Sequence, residues 1–139
     1  LLPEGKLFVS EDYTGQMSVD ESDEACIDVP MVVMVNDNSY SAAEFFAAAL
    51  SEYEKAKIVG IPTTGKGYFQ NTYTLVDGSA VALSIGRYFT PKGVSLAETG
   101  GLIPDVTVEV DDKIAAQIYS QTLAPEEDPQ ILAAIELLK

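Results

Sequence analysis

MVVMVNDNSYSAAEFFAAALSEYEKAKIVGI, Met31 to Ile61, changes its apolar period twice, and the changes decide the fold. Met31 to Val35 is short, rich in β-branched residues and apolar on both faces, the pattern of a buried, parallel-type strand. From Ser41 to Glu54 the residues Ala42, Phe45, Phe46, Ala49, Leu50 and Tyr53 recur at helical spacing, with Glu44, Ser51, Glu52 and Glu54 off the stripe. Lys57 to Ile61 returns as a strand. Strand, helix and strand in that order predict a right-handed parallel crossover within an α/β domain.

On the amino-terminal side of this unit, Lys6 to Glu11 reads as a short strand. The polar stretch Asp12 to Glu24, with its Thr14-Gly15 turn signal, reads as a solvated hairpin or loop. On the carboxy-terminal side, Thr63 to Gly67 is a polar loop, and Tyr68 to Val76 pairs with Ala80 to Phe89 across an Asp77-Gly78-Ser79 turn. This adds an antiparallel hairpin. After a loop from Ala97 to Pro104, Asp105 to Val110 alternates as a strand. Two helices close the chain, one over Asp111 to Thr122 and one opened by Asp128 as N-cap with Pro129 at the first helical position.

A length of 139 residues, 47% of them hydrophobic, suits one domain with a real core, 1–139. Twenty-two acidic residues against 8 basic ones give a net charge of -14, which repels nucleic acid and anionic membrane surfaces alike. There is no apolar run long enough to span a bilayer and no signal-peptide pattern. The chain opens on LLPEGK without a methionine, which reads as a piece of a longer protein. Cys26 is the only cysteine, so neither an internal disulfide nor a Cys-rich zinc site is expected. With no histidine, the Ser-His-Asp and Cys-His arrangements are excluded, and a hydrolase built on this chain needs another base.

Two readings of NSYSAAE, Asn38 to Glu44, compete. Ser41-Ala42-Ala43-Glu44 has the form of a capping box, in which the serine hydroxyl and the glutamate carboxylate satisfy each other's backbone N–H groups. A serine at that junction also stands at the end of a rigid strand, beside free helix N–H groups that favour developing negative charge. A base within reach separates the two. Lys66 sits between two glycines, where close backbone approach can bury it; desolvation favours the neutral amine, which can accept a serine proton. The plain alternative is an exposed turn lysine.

The ordered series LLPEGK, VVMVNDNSYSAAEFFAAAL, IVGIPTTGKGYFQ, LVDGSAVALSIGRYFTPKG, GLIPDVTVEV and DPQILAAIELLK resembles the carboxy-terminal processing, or tail-specific, proteases, serine peptidases of the S41 family. The resemblance covers nearly the whole chain and implies a ClpP/crotonase-like core. A family motif of the form S-A-S-A-S-E falls on Ser39 to Glu44 and makes Ser41 the nucleophile, with Ser39 its nearest rival. The family's G-K-G-x-x-Q motif falls on Gly65 to Gln70 without substitution, making Lys66 the general base and Gln70 the residue that orients it. The Ala42 N–H at the helix start would then serve the oxyanion. Residues four apart in an extended strand lie roughly 13 Å apart, so Gln70 reaches Lys66 only through a bend at Gly65 or Gly67, or through a folded-back lysine.

The resemblance further implies an ATP-independent endopeptidase that cleaves exported or envelope proteins near apolar carboxy-termini, without metal or organic cofactor. Its partners would be protein or peptide substrates, and its location outside the cytoplasm. Absent from the chain are the family's upstream D-L-R-x-N-P-G-G element and its PDZ domain. Loss of one oxyanion donor costs about a hundred- to a thousandfold in rate, so the 139-residue chain alone is expected to be inactive or nearly so. A catalytically silent peptide-binding or scaffold relative is the alternative, and intact Ser41, Lys66 and Gln70 argue against it. A crotonase-type acyl-CoA enzyme has no reason to keep G-K-G-x-x-Q, and no serine here has a lysine three residues later, as a β-lactamase-type site requires.

Overall fold

A computed structural model describes residues 1–139 as seven strands and four α-helices. They run β1 (Gly5–Asp12), β2 (Met17–Ser22), β3 (Met31–Val35), α1 (Ala42–Glu52), β4 (Ala56–Gly60), β5 (Tyr68–Thr74), β6 (Ala80–Phe89), α2 (Leu96–Thr99), β7 (Val106–Thr107), α3 (Asp112–Tyr119) and α4 (Pro129–Leu137). A single 3₁₀ turn, Pro125–Glu127, precedes α4. The architecture is mixed α/β. A parallel sheet has the order β3-β4-β7, and a separate antiparallel sheet has the order β2-β1-β6-β5.

The crossover expected from Met31 to Ile61 is present: β3 and β4 pair in parallel from Met31↔Ala56 to Val35↔Gly60, with α1 between them in sequence. Ile58 and Val59 are both fully buried although successive strand residues point to opposite faces, because the sheet is covered on both sides. Ile58 packs with Val35 and Ala47 of α1, while α4 lies against β3 and β4. Met31 to Val35 is less buried than its apolar run suggests. β3 is an edge strand, and Met34 is half exposed.

Helix α1 also corrects its helical stripe. Phe45, Ala49 and Leu50 are buried as the periodicity predicts, but Phe46 and Ala42 are exposed, and Ala47 and Ala48 are buried in their place. The helix is clamped between the parallel sheet and a cluster in which Phe45, Ala48 and Leu96 meet Phe8 and Tyr88 of the antiparallel sheet. Contact on two sides buries more than one stripe of a helix. Tyr88 centres the junction, with ring centroids 5.4 Å from Phe8, 5.5 Å from Phe45 and 5.0 Å from Phe69.

The hairpin expected across Asp77-Gly78-Ser79 forms, and β6 occupies Ala80–Phe89. A register shift between Phe69 and Gln70 marks a bulge, with Phe69 opposite Gly86 and Gln70 opposite Ser84. The strand expected over Asp105 to Val110 shrinks to Val106–Thr107 because only Val59 and Gly60 of β4 pair with it. Asp105 is used otherwise: its carboxylate accepts the Ile58 N–H at 2.8 Å. The loop expected from Ala97 to Pro104 contains most of the short helix α2. At the chain's end, Asp128 caps α4 as expected, accepting from Gln130 N–H at 2.8 Å and Ile131 N–H at 3.3 Å. No helix is long and apolar enough to cross a membrane.

Candidate active site

Ser41 occupies the junction between β3 and α1 in an unusual backbone conformation, φ 57° and ψ −125°. An ordinary N-cap residue sits in the β region. A non-glycine residue held at positive φ in a sparsely populated region costs on the order of 1–3 kcal/mol and persists only where the surroundings enforce it. Here the helix takes the Ser41 carbonyl as acceptor for the Glu44 N–H at 2.9 Å and the Phe45 N–H at 3.3 Å, and the Ser41 N–H donates to Glu44 Oε2 at 2.8 Å. The capping box is therefore firm on its glutamate side. The Ser41 hydroxyl faces the Glu44 N–H in capping-box fashion without making a cap hydrogen bond of ordinary geometry, and Ser41 as a residue is half-buried.

Glu44 is the residue that sequence periodicity misplaced. It reads as a solvated residue off the apolar stripe, yet it is fully buried. Its Oε2 accepts from the N–H groups of Ser41 and Lys66, both at 2.8 Å, and its Oε1 from the Gly65 N–H at 2.6 Å and the Thr63 hydroxyl at 2.5 Å. Four donors compensate a carboxylate that burial alone would make costly. Two 2.8 Å bonds to one oxygen place the backbone nitrogens of Ser41 and Lys66 within twice that distance of each other. The capping-box spacing was the only sequence signal for Glu44, and it pointed to a local role. The donors at 63 to 66 come from a loop about twenty residues away.

That loop is shaped by glycine. A Cβ on Gly65, whose φ is +80°, would meet the Gly101 nitrogen at 2.8 Å, and one on Gly101, φ +104°, would meet the Thr63 carbonyl oxygen at 2.3 Å. The two segments approach closely only because both positions lack side chains. Thr63 completes the tie, its Oγ1 accepting the Leu102 N–H at 2.8 Å. The Gly67 N–H donates to the Gly65 carbonyl at 3.1 Å, so the chain turns tightly around Lys66. The chain therefore bends at Lys66, but the bend does not bring Gln70 to it, since Gln70 bonds Ser84.

The other candidate side chains are not engaged with one another. Lys66 is exposed rather than buried, because its glycine-flanked turn brings the backbone, not the stem, against the protein. Its Nζ lies 5.4 Å from the centroid of the Tyr40 ring and makes no hydrogen bond to Ser41. Gln70 is exposed on β5, its Nε2 donating at 3.5 Å to Ser84 Oγ rather than to Lys66. Ser39, the rival serine, accepts the Asn36 N–H on its hydroxyl at 3.1 Å and so stabilises the preceding turn. Ala42 is exposed at the first position of α1, and its N–H has no partner in the chain, as first-turn donors require in order to serve an external group.

An apolar pocket of about 240 Å³ opens beside Ser41, its only polar lining residue. Leu2, Phe8, Phe45, Phe46, Ala49 and Tyr88 form most of its wall, so β1, α1 and β6 all contribute. No group of acidic, histidine or cysteine side chains in the chain is placed to hold a metal ion.

Fold and site together define a class: a mixed α/β protein with a strained serine at a strand-to-helix junction beside an apolar pocket. Residues 1–108 match the model of Peptidase family S41, and the chain belongs to that family, as its ordered motifs led us to expect. It is 36% identical over 138 residues to the carboxyl-terminal-processing protease of Synechocystis sp., across 99% of this chain and 31% of that protein. Against carboxyl-terminal-processing peptidase 1, chloroplastic, of Arabidopsis thaliana it is 42% identical over 110 residues, covering 72% of this chain and 22% of the relative. The solved photosystem II D1 C-terminal processing protease superposes with a TM-score of 0.68 at 38% identity, over 78% of this chain and 28% of that one. The chain spans between about a fifth and a third of the length of these relatives.

Proposed function

We propose that the chain carries the nucleophile and base of a carboxy-terminal processing endopeptidase, with Ser41 as nucleophile, Lys66 as general base and Gln70 as its orienting partner. The observation that carries this reading is the Ser41 backbone. A serine that only starts a helix has no need of φ 57°. In the reaction, Lys66 Nζ acts as base and takes the Oγ proton as Oγ attacks the scissile carbonyl, whose oxygen accepts from the Ala42 N–H. Collapse of the tetrahedral adduct breaks the C–N bond, and the Lys66 ammonium returns the proton to the leaving amine. A water deprotonated by Lys66 then hydrolyses the acyl-enzyme.

The separation of the side chains is compatible with this, since catalytic hydrogen bonds are often long in unliganded sites and tighten when substrate binds. The pocket beside Ser41 suits one large apolar side chain of a protein or peptide substrate, which supports cleavage near apolar carboxy-termini. Residues 1–139 act in this proposal as one domain, part of a ClpP/crotonase-like catalytic core, with the second oxyanion donor and a PDZ domain supplied from upstream. Work outside the cytoplasm belongs to the same proposal; the Arabidopsis relative is named chloroplastic.

The test is labelling by a fluorophosphonate, with peptide cleavage in parallel, of the 139-residue chain and of a longer form that includes the upstream region. The longer form should label at Ser41 and cleave, and Ser41→Ala and Lys66→Ala should each abolish both. The short chain should do neither at a comparable rate. A longer form that binds peptide tails but never labels would establish the silent scaffold instead.

A further inference from the structure

Lys66 enters the site with its backbone fixed and its side chain free. Glu44 holds its N–H, and the turn from Gly65 to Gly67 closes around it. The exposed stem carries an ammonium that makes no ion pair and rests 5.4 Å from the centroid of the Tyr40 ring, inside the range of cation–π attraction. Glu44 offers it no competing ion pair, because both carboxylate oxygens are committed to other donors. Tyr40 is itself 55% exposed and immediately precedes Ser41. The ring and the serine hydroxyl therefore belong to consecutive residues, next to one lysine stem whose base is anchored within a few ångströms of the Ser41 nitrogen.

We propose that the face of Tyr40 is a resting dock for the Lys66 side chain, a positioning device that holds the ammonium off Ser41 until the amine is neutral and turns to the hydroxyl. The attraction of a ring face acts on the cation and lapses with its charge, so the dock retains the form of the lysine that cannot accept a proton and releases the form that can. The gating half of this proposal rests on the reading of Lys66 as the base; the docking half does not.

Two measurements separate the halves. In the nuclear magnetic resonance spectrum of the 139-residue chain, the Lys66 side-chain methylene protons should be shifted upfield by the Tyr40 ring current in the wild type and in Tyr40→Phe, and should lose that shift in Tyr40→Leu. Wild-type shifts no larger than those of Tyr40→Leu overturn the dock. In the longer form, Tyr40→Leu should label Ser41 about two- to fivefold faster than wild type, the bias that an exposed cation–π contact supplies, while Tyr40→Phe keeps the wild-type rate. An unchanged or slower rate in Tyr40→Leu overturns the gating. Lys66→Ala is the control: if it labels as fast as wild type, the base assignment has failed, and the ring-current shift still decides the dock.

Discussion

Oε2 of the fully buried Glu44 accepts the Lys66 N–H at 2.8 Å, which fastens the loop after β4 to the first turn of α1. The same oxygen holds the Ser41 N–H, so a side chain that reads as a helix cap connects two motifs twenty-five residues apart.

Glu44→Gln should be costly although it is nearly isosteric. An amide presents one acceptor oxygen and turns an NH₂ toward donors that the second oxygen had served. Each buried donor left without a partner costs about 1–3 kcal/mol, which gives a total loss of roughly 2–5 kcal/mol in unfolding free energy. Urea unfolding measures it, and a loss below about 1 kcal/mol would show that the network carries little of the fold.

Removing the Ser41 hydroxyl should cost the fold almost nothing. Because Oγ faces the Glu44 N–H without a cap hydrogen bond of ordinary geometry, Ser41→Ala should unfold within about 0.5 kcal/mol of wild type. Ser41→Gly should be more stable by about 1 kcal/mol, the net of relieved backbone strain and glycine's greater freedom in the unfolded chain. Calorimetry of the three proteins decides it; a large loss in Ser41→Ala would restore the hydroxyl to a structural role.

Phe46 is half exposed yet lines the pocket, so it can be truncated without emptying the core. In the longer form, Phe46→Ala should raise KM for substrates with a large apolar residue at the cleavage site by about tenfold, within the range that hydrophobic subsites discriminate, and change kcat far less. Equal effects on substrates with small and large residues would disconnect the pocket from specificity.

Asp77 caps the β5–β6 turn by accepting from the Ser79 hydroxyl at 2.6 Å and the Ser79 N–H at 3.0 Å. The Ser79 side-chain hydrogen bond, then the backbone one, hold its carboxyl below the usual 3.8. A folded-state value depressed in this way contributes stability that is present above the unfolded value and lost as pH falls through the folded one. Amide exchange at Gly78 and Ser79 should therefore lose protection below pH 3.8, and in Asp77→Ala the protection should already be low and flat across that range. Protection in the wild type that ignores pH there would refute the assignment.

The elements that a local period can specify were legible in the residues: the Met31–Ile61 crossover, the hairpin, and the Asp128–Pro129 helix start. What escaped depended on partners distant in sequence. Phe46 and Glu44 changed places because α1 is packed from two sides and because the donors of Thr63, Gly65 and Lys66 make a buried carboxylate affordable. The strand after Pro104 is short because β4 offers it only two residues. The serine and lysine motifs stood out as spacing, but the conformation of Ser41 and the docking of Lys66 on Tyr40 have no signature in spacing.

Glu44 ties the Ser41 N–H to the loop of Thr63 to Lys66, and that loop in turn closes tightly against Gly101. Three stretches of chain, at residues 41–44, 63–66 and 101–102, thus converge around one carboxylate, so the geometry at Ser41 is a property of the tertiary structure and not of its own segment.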